Sequence, residues 1–268
     1  MWHLNVPKIL HVYWSGSLPY MRFLTLATFK KFNPSWDIIV WTPKVPSKII
    51  TWQTGELNYP KNWEDWSPKL SEFDVRQVDM EDFNLSNEIS EVHKSDFLRY
   101  NLLYNYGGVY SDMDIIYFKP ITNLEVNKKE NLDKETFVCI SHYGHSNGFF
   151  LSAKGSAFFE RMSLIARSFN TNVYQSVGPD LCNKHYPTLE SIKEISPVEN
   201  IGMEAVYFYN GQMVPTLYRE TDLWFHKKSI GCHWYAGSHL SGKFLKETKG
   251  GTENLPNNLM GKLCKISI

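Results

Sequence analysis

The chain has 268 residues, 43% hydrophobic and 15% aromatic, enough apolar material for one large domain with a substantial core. Its 28 basic and 28 acidic residues cancel, which removes any global electrostatic reason to bind nucleic acid or an anionic membrane. No apolar run approaches a membrane span, the start MWHLNVPKIL lacks a signal peptide's basic and apolar regions, and the cysteines are scattered singly, so a cytoplasmic chain with neither disulfides nor a zinc frame is expected.

Pro7 leads into a short apolar strand, Lys8 to Trp14, closed by Ser15-Gly16-Ser17-Leu18-Pro19. A helix from Tyr20 to Phe32 follows, stopped by Asn33-Pro34, and then a second strand from Asp37 to Trp41. This β-α-β opening implies neighbouring parallel strands, with ligands bound beyond their carboxyl ends, where Trp14, Ser15 and Gly16 would lie. On the strand pattern alone, His11 and Trp14 are a core and a rim residue. Between Thr42 and Ser90 the signal is poor, because Pro43, Pro46, Pro60 and Pro68 interrupt it. The stretch reads as a partly helical insertion covering the sheet edge. Its tryptophans Trp52, Trp63 and Trp66 either pack there or offer flat apolar faces to a sugar ring.

From Glu91 to Tyr106 apolar residues recur at three- and four-residue spacing, Ser90 or Ser95 can cap the start, and Gly107-Gly108 supplies a left-handed stop. Asp96 and Arg99, three residues apart, project from one face of this helix. The β-branched and aromatic run from Val109 to Phe118 predicts a buried strand, but Asp112-Met113-Asp114 interrupts it. Two carboxylates there are costly to bury without compensation, and a divalent cation is the simplest compensator. In extended chain residues i and i+2 point to one side, roughly 6.6 Å apart along the strand. With a small bend both can face one hard cation, magnesium or manganese, whose other ligands are phosphates. Alone, a D-x-D also caps turns, and an Asp-Arg pair on a helix is an ordinary surface ion pair; the two together in one order are far more specific.

Beyond Pro120 the residues from Asn123 to Glu135 read as an exposed loop, followed by a strand at 137–140, a connection at 141–148 and a strand at 149–153. His142-x-x-His145 lacks the further ligands a zinc site needs. Gly155 to Phe169 reads as an amphipathic packing helix, Gly178-Pro179 as a turn with Asp180 capping the next helix, and 206–209 and 213–215 as edge strands. His233 leaves an apolar strand, a position usually filled by a core histidine. The lysines 227, 228, 243, 246, 249, 262 and 265, offset only by Glu247 and Glu253, read as a basic tail able to contact an anionic surface such as membrane lipid or DNA phosphate. No repeat or linker divides the chain.

The residues Asp96, Arg99, Tyr100, Gly107, Gly108, Tyr110, Asp112 and Asp114, in this order and spacing, resemble the DXD-containing sugar transferases of the retaining GT-A type. That family includes yeast-type initiating mannosyltransferases and, more distantly, the glucosylating domains of clostridial toxins. The resemblance implies an α/β fold: a single GT-A domain over 1–268, with a mostly parallel Rossmann-like sheet flanked by helices, a nucleotide-sugar half at 1–120 and an acceptor-side half at 121–268. It implies that Asp96 and Arg99 hold the donor sugar and that Asp112 and Asp114 hold Mn2+ or Mg2+ on the nucleotide diphosphate. P-K-I-L-H-x-x-W-x-G resembles the family's opening strand, which places Trp14 at the base, with Tyr110 flanking base and ribose. Asn147 matches a position facing the donor sugar. His233 to Ser238 resembles the C-terminal H-x-x-x-G-S-W signature, whose histidine completes the metal site; Ser238 is retained and His239 stands in place of the tryptophan. The family's threonine-glycine-proline turn is likewise altered, with Val177 before Gly178-Pro179.

The function so implied is metal-dependent, retaining transfer of a sugar from a nucleotide diphosphate, UDP foremost, to a hydroxyl on a saccharide, a lipid-linked saccharide or a modified DNA base, with no obligate protein partner. No carboxylate stands out as a covalent nucleophile, which favours front-face displacement. Two other classes are weighed against it. A metal-dependent nucleotidyl or phosphoryl transferase would need a phosphate-binding glycine loop or a third clustered acid, and neither is found. A non-catalytic nucleotide-sugar-binding protein would not need intact acids and Arg99.

Overall fold

In the computed structural model, which describes residues 1–49, 63–168, 170, 173–222 and 224–266, β1 (Ile9–Tyr13) lies parallel to β2 (Asp37–Pro43), and α1 (Tyr20–Phe32) connects them. Met21, Leu24, Leu26 and Phe29 of α1 are buried, and Asn33 closes the helix by donating its N–H to Phe29 O at 2.8 Å. The poorly legible stretch supplies a further parallel strand, β3 (Asp74–Val78), flanked by short 3-10 turns. β3 is an edge strand whose first four residues are exposed, so it carries none of the apolar alternation that marks a strand in sequence. Trp66 packs on Tyr20 and Phe23 at ring separations of 4.8 and 5.2 Å, and Trp63 lies against the same core, so both are packing residues and not sugar platforms. Trp52 lies outside the described residues.

α2 (Glu91–Tyr106) starts and stops where its sequence places it. Ser90 Oγ accepts the N–H of His93, and Gly107 and Gly108 turn the chain with φ of +66° and +98°. A Cβ on Gly108 would lie 2.6 Å from the carbonyl oxygen of Ile9, so only glycine lets β4 (Gly108–Ser111) enter the sheet beside β1. The run that follows is not one strand. After Ser111 the chain leaves the sheet, turns through Asp112–Asp114, and resumes as β5 (Ile115–Tyr117) in a separate ribbon.

The second half begins with a hairpin, β6 (Thr136–Ser141) and β7 (Gly144–Ser152), so the stretch expected as a connection is largely strand. There follow α3 (Ala157–Ile165), α4 (Pro179–His185), α5 (Leu189–Lys193), β8 (Val198–Asn200), α6 (Val214–Arg219), β9 (Gly231–His233), α7 (His239–Glu247) and α8 (Leu259–Ile266). The main sheet runs β3-β2-β1-β4-β7-β6-β8, parallel except where β7 pairs with β4 and β6, which makes this a mostly parallel α/β fold. From β1 the chain leads to β2 on one side, while β4 lies on the other, so a crevice opens beyond the carboxyl ends of β1 and β4. One hydrophobic core lies under α1, α7 and α8, and a second under α2, α3 and α4.

The two stretches read as edge strands and the cap are corrected. Residues 206–209 are an irregular segment that follows a 3-10 turn at Met203–Ala205, and 213–215 lead into the helix α6, which Pro215 can open because a first-turn residue needs no N–H partner. Asp180 is not a cap, since Gly178 holds that position and Asp180 lies in the first turn of α4. The segment that carries the C-terminal lysines is packed on the domain, with Phe244, Leu245, Met260 and Leu263 in the core, Lys228 paired with Glu125 and Glu204 at 2.6 and 3.3 Å and Lys249 with Glu253 at 2.7 Å, while Lys243 keeps an exposed side chain. The four cysteines are buried and unpaired. Among the described residues no helix is long and apolar enough to cross a membrane.

His11 is fully buried on β1, with Nε2 3.0 Å from Gly107 O and Nδ1 accepting from Trp41 Nε1 at 3.1 Å, an arrangement that fits the neutral ring. Burial, opposed by the Gly107 contact, lowers its pKa from 6.5 to about 4. Above pH 6.5 the ring is neutral whether the chain is folded or not; below it the unfolded chain takes up a proton that the folded chain refuses, until the cost levels off below pH 4. A His11→Phe variant should therefore be less stable than wild type at pH 7.5, with the gap closing by about 2.5 kcal/mol by pH 4.5. Equilibrium urea unfolding at the two pH values measures this, and a gap that does not change with pH would contradict it.

Candidate active site

The crevice holds a cleft of about 860 Å3, and eight of the nine residues singled out in sequence line it. Tyr110 does not. It is 1% exposed, its ring lies 5.0 Å beneath the guanidinium of Arg99, and its hydroxyl is 2.7 Å from Ser95 Oγ, so it supports Arg99 and does not flank a ligand.

Arg99 is the hub. Its Nη2 contacts Asp96 Oδ1 at 2.7 Å and Asp112 Oδ1 at 3.1 Å, while Nη1 donates to Asn147 O at 2.5 Å. One guanidinium thus ties α2, the turn after β4 and β7 together. Asp112 N–H donates to Gly148 O at 2.7 Å, which fixes the turn as it leaves the sheet. Gly148 leaves room for these side chains: a Cβ would lie 2.5 Å from Asp112 Oδ2 and 2.8 Å from Tyr207 Oη, so any larger residue would push the Asp112 carboxylate aside. Burial raises the pKa of Asp96 to about 6 and that of Asp112 above the ordinary carboxylate range, against the pull of Arg99.

β9 delivers the third member. His233 pairs in register with Ile115, one residue beyond the turn, and Trp234 N–H donates to Asp114 O at 2.9 Å. His233 Nε2 lies 3.0 Å from Asp114 Oδ1, an atom that makes no regular hydrogen bond. Asp114 Oδ2 accepts Ala236 N–H at 3.1 Å and faces Arg22 Nη1 at 3.9 Å. Although burial opposes it, His233, Arg22 and the Ala236 N–H hold the Asp114 carboxyl well below the usual range. Asp112, Asp114 and His233 each offer a ligand atom, all within 4.8 Å of one another.

This donor set fits a divalent cation. Two carboxylate oxygens and one imidazole are donors a divalent cation accepts, and 3.0 Å is about the edge of an octahedron with arms of about 2.1 Å. The unpartnered buried atoms here, Asp114 Oδ1 among them, are those a bound group would satisfy. The cluster opens through Asp112, whose side chain is 28% exposed against 10% for Asp114.

Around it, Trp14 forms one wall with Arg22 5.2 Å over its ring, and the same guanidinium lies 5.0 Å from the Trp234 ring. Asn147 Nδ2 donates to Tyr100 Oη at 3.0 Å, and its Oδ1 has no partner. Ser238 reaches the cleft but its hydroxyl caps α7, accepting from Ser241 N at 3.1 Å. His239 begins that helix. His145 bonds Tyr186 O at 2.7 Å and stays outside the metal cluster. Sequence reasoning missed Arg22, Gly148 and Tyr207. Arg22 had a faint signal, a lone cation within the apolar Met21 to Leu24; the other two become visible only once β7 and the chain after β8 are in place.

The site and sheet define a class: the fold is that of GT-A glycosyltransferases. The glycosyltransferase GlyE of Streptococcus pneumoniae TIGR4 superimposes with a TM-score of 0.56 at 9% identity, over 98% of this chain and 61% of that one. Residues 22–134 match the glycosyltransferase sugar-binding region containing DXD motif. It is 26% identical over 188 residues to inositol phosphoceramide mannosyltransferase 1 of Schizosaccharomyces pombe, covering 65% of this chain and 49% of the relative. It is 26% identical over 195 residues to the human alpha-1,4-N-acetylglucosaminyltransferase, covering 68% and 53%. The chain thus spans about half the length of these curated relatives.

Gly148→Ala should displace Asp112 and weaken manganese binding about 10- to 100-fold, with the fold intact. Electron paramagnetic resonance of Mn2+ titrated in the presence of UDP reads this directly; unchanged affinity would place the cation elsewhere.

Proposed function

We propose that this protein transfers a sugar from a nucleotide diphosphate, UDP foremost, to an acceptor hydroxyl, with a manganese or magnesium ion held by Asp112, Asp114 and His233. The observation that carries the reading is the convergence of that cluster with Asp96 and Arg99 in one cleft at the sheet's switch point. The bound cation would act as the Lewis acid that neutralises charge on the departing diphosphate.

The chain's own residues would do the rest. Arg99 locks Asp96 and Asp112 in place, leaving Asp96 to accept from a sugar hydroxyl. Arg22 brings a guanidinium to the side of Asp114 where diphosphate charge develops, backed by Trp14 and Trp234. Trp14 offers its face to the base, and the unpartnered Oδ1 of Asn147 would accept from the sugar. Four of the acids lining the cleft are engaged: Asp96 and Asp112 with Arg99, Asp114 with Ala236 N–H, and Glu91 with Tyr13 Oη and with Lys94 at 3.2 Å, while Asp180 lies exposed in the first turn of α4. Engagement of the acids around the cation cluster supports front-face displacement, since a glycosyl-enzyme would need a carboxylate free to attack. The bond from anomeric carbon to phosphate oxygen breaks, the acceptor oxygen bonds on the same face, and its proton passes to the leaving phosphate. Configuration is then retained.

Proton NMR of a nucleotide-sugar panel with protein and manganese, without added acceptor, tests the reading. One donor should release free sugar with its anomeric configuration first retained, and EDTA or Asp114→Asn should abolish the release. Arg22→Gln should lower the same turnover about 100-fold while thermal stability stays near wild type. If no nucleotide binds in the presence of metal, the proposal fails.

A further inference from the structure

Beside the cleft lies a second, open depression of about 680 Å3. The tip of the β6–β7 hairpin separates the two, and Tyr143 and Asn183 line both. Tyr143 is 74% exposed, an unusual place for an aromatic ring that packs under nothing. It is nevertheless held: its N–H donates to Ser141 Oγ at 3.2 Å, and its ring lies 3.8 Å from that of His142. Asn183, on α4, accepts the N–H of His145 at 2.9 Å through Oδ1, which aims the side chain at the hairpin and leaves Nδ2 without a partner among the described residues. Thr188 and Asn200 line it too, but Thr188 Oγ1 accepts Ser191 N–H and the Asn200 amide is taken up by Ile140 and Gly202, so Asn183 Nδ2 is the amide left to a ligand, and no lysine, arginine or acid lines the depression.

These features select a ligand chemistry. A site without charge does not favour phosphate, and an open groove in which Ser141, Asn183, Thr188 and Asn200 interrupt the apolar residues does not favour an acyl chain. An exposed aromatic face beside an amide suits a pyranose, whose C–H face stacks on the ring while a hydroxyl meets the amide. We propose that this depression is a subsite for the second sugar of an acceptor, continuous with the cleft through Tyr143 and Asn183, so that the acceptor is a saccharide chain of at least two rings, whatever carries it. The assignment as an acceptor subsite rests on the transferase reading; the presence of a saccharide site does not.

Saturation-transfer NMR on the full chain with UDP and Mn2+ reads the subsite without turnover. The probes are mannobiose, lactose, maltose and chitobiose, each beside the methyl glycosides of its component sugars. At least one disaccharide should receive saturation on both rings and bind more tightly than its methyl glycosides. Tyr143→Ala should remove the outer-ring saturation and weaken that disaccharide roughly 3- to 10-fold, and Tyr143→Trp should restore it. Saturation confined to one ring, indifference to Tyr143→Ala, or no saturation of any disaccharide would overturn the proposal. Donor release, measured separately, reports on the transferase reading and can fail or succeed independently.

Discussion

A buried guanidinium between three partners holds this cleft together. Arg99 is almost wholly withdrawn from water, a placement that is destabilising unless acids and carbonyls answer it, and here Asp96, Asp112 and Asn147 O do so from three separate elements. Removing any one partner leaves charge stranded in a site of low polarisability. The geometry of the helix, the turn and the strand is therefore specified together, because each supplies a group that answers the same arginine.

The second constraint is the departure of the chain from the sheet after Ser111. Had β4 continued, Asp112 and Asp114 would have lain along a ladder with alternating neighbours. The corner frees them from that spacing. Asp112 turns toward Arg99 and the cleft mouth, while Asp114 sinks toward Ala236 N–H and His233. Two acids in one short motif thus sit in opposite electrostatic settings, one raised and one lowered in pKa, and the cluster keeps one face closed and the other open.

Legibility in sequence tracked how local the cause was. α2 was readable because its cap, its periodicity and its glycine stop lie within one stretch, and the acid pair stood out because charge in an apolar run is costly. The corner was not readable, since the apolar residues on both sides of Asp112–Asp114 continue without a gap, and only pairing with β9 shows that they serve two sheets. β3 was hidden because an exposed edge strand has no apolar face to betray it. Tyr110 was placed on the ligand by resemblance, whereas its register on β4 turns it inward beneath Arg99. His233 was found through resemblance alone, because a histidine after an apolar strand looks the same whether it packs or ligates.

The ribbon of β5 and β9 brings a last consequence. It joins the acid corner to a histidine that arrives only after β6, β7, β8 and several helices have been laid down, so Asp112, Asp114 and His233 cannot meet in any early fragment of the chain. Occupancy of the site then works as a clasp. Any cation that binds all three stabilises the docked C-terminal region and not the chain that lacks it, and the added free energy grows with cation concentration by mass action. Bound cation would therefore make the C-terminal helices and the acid corner melt as one unit.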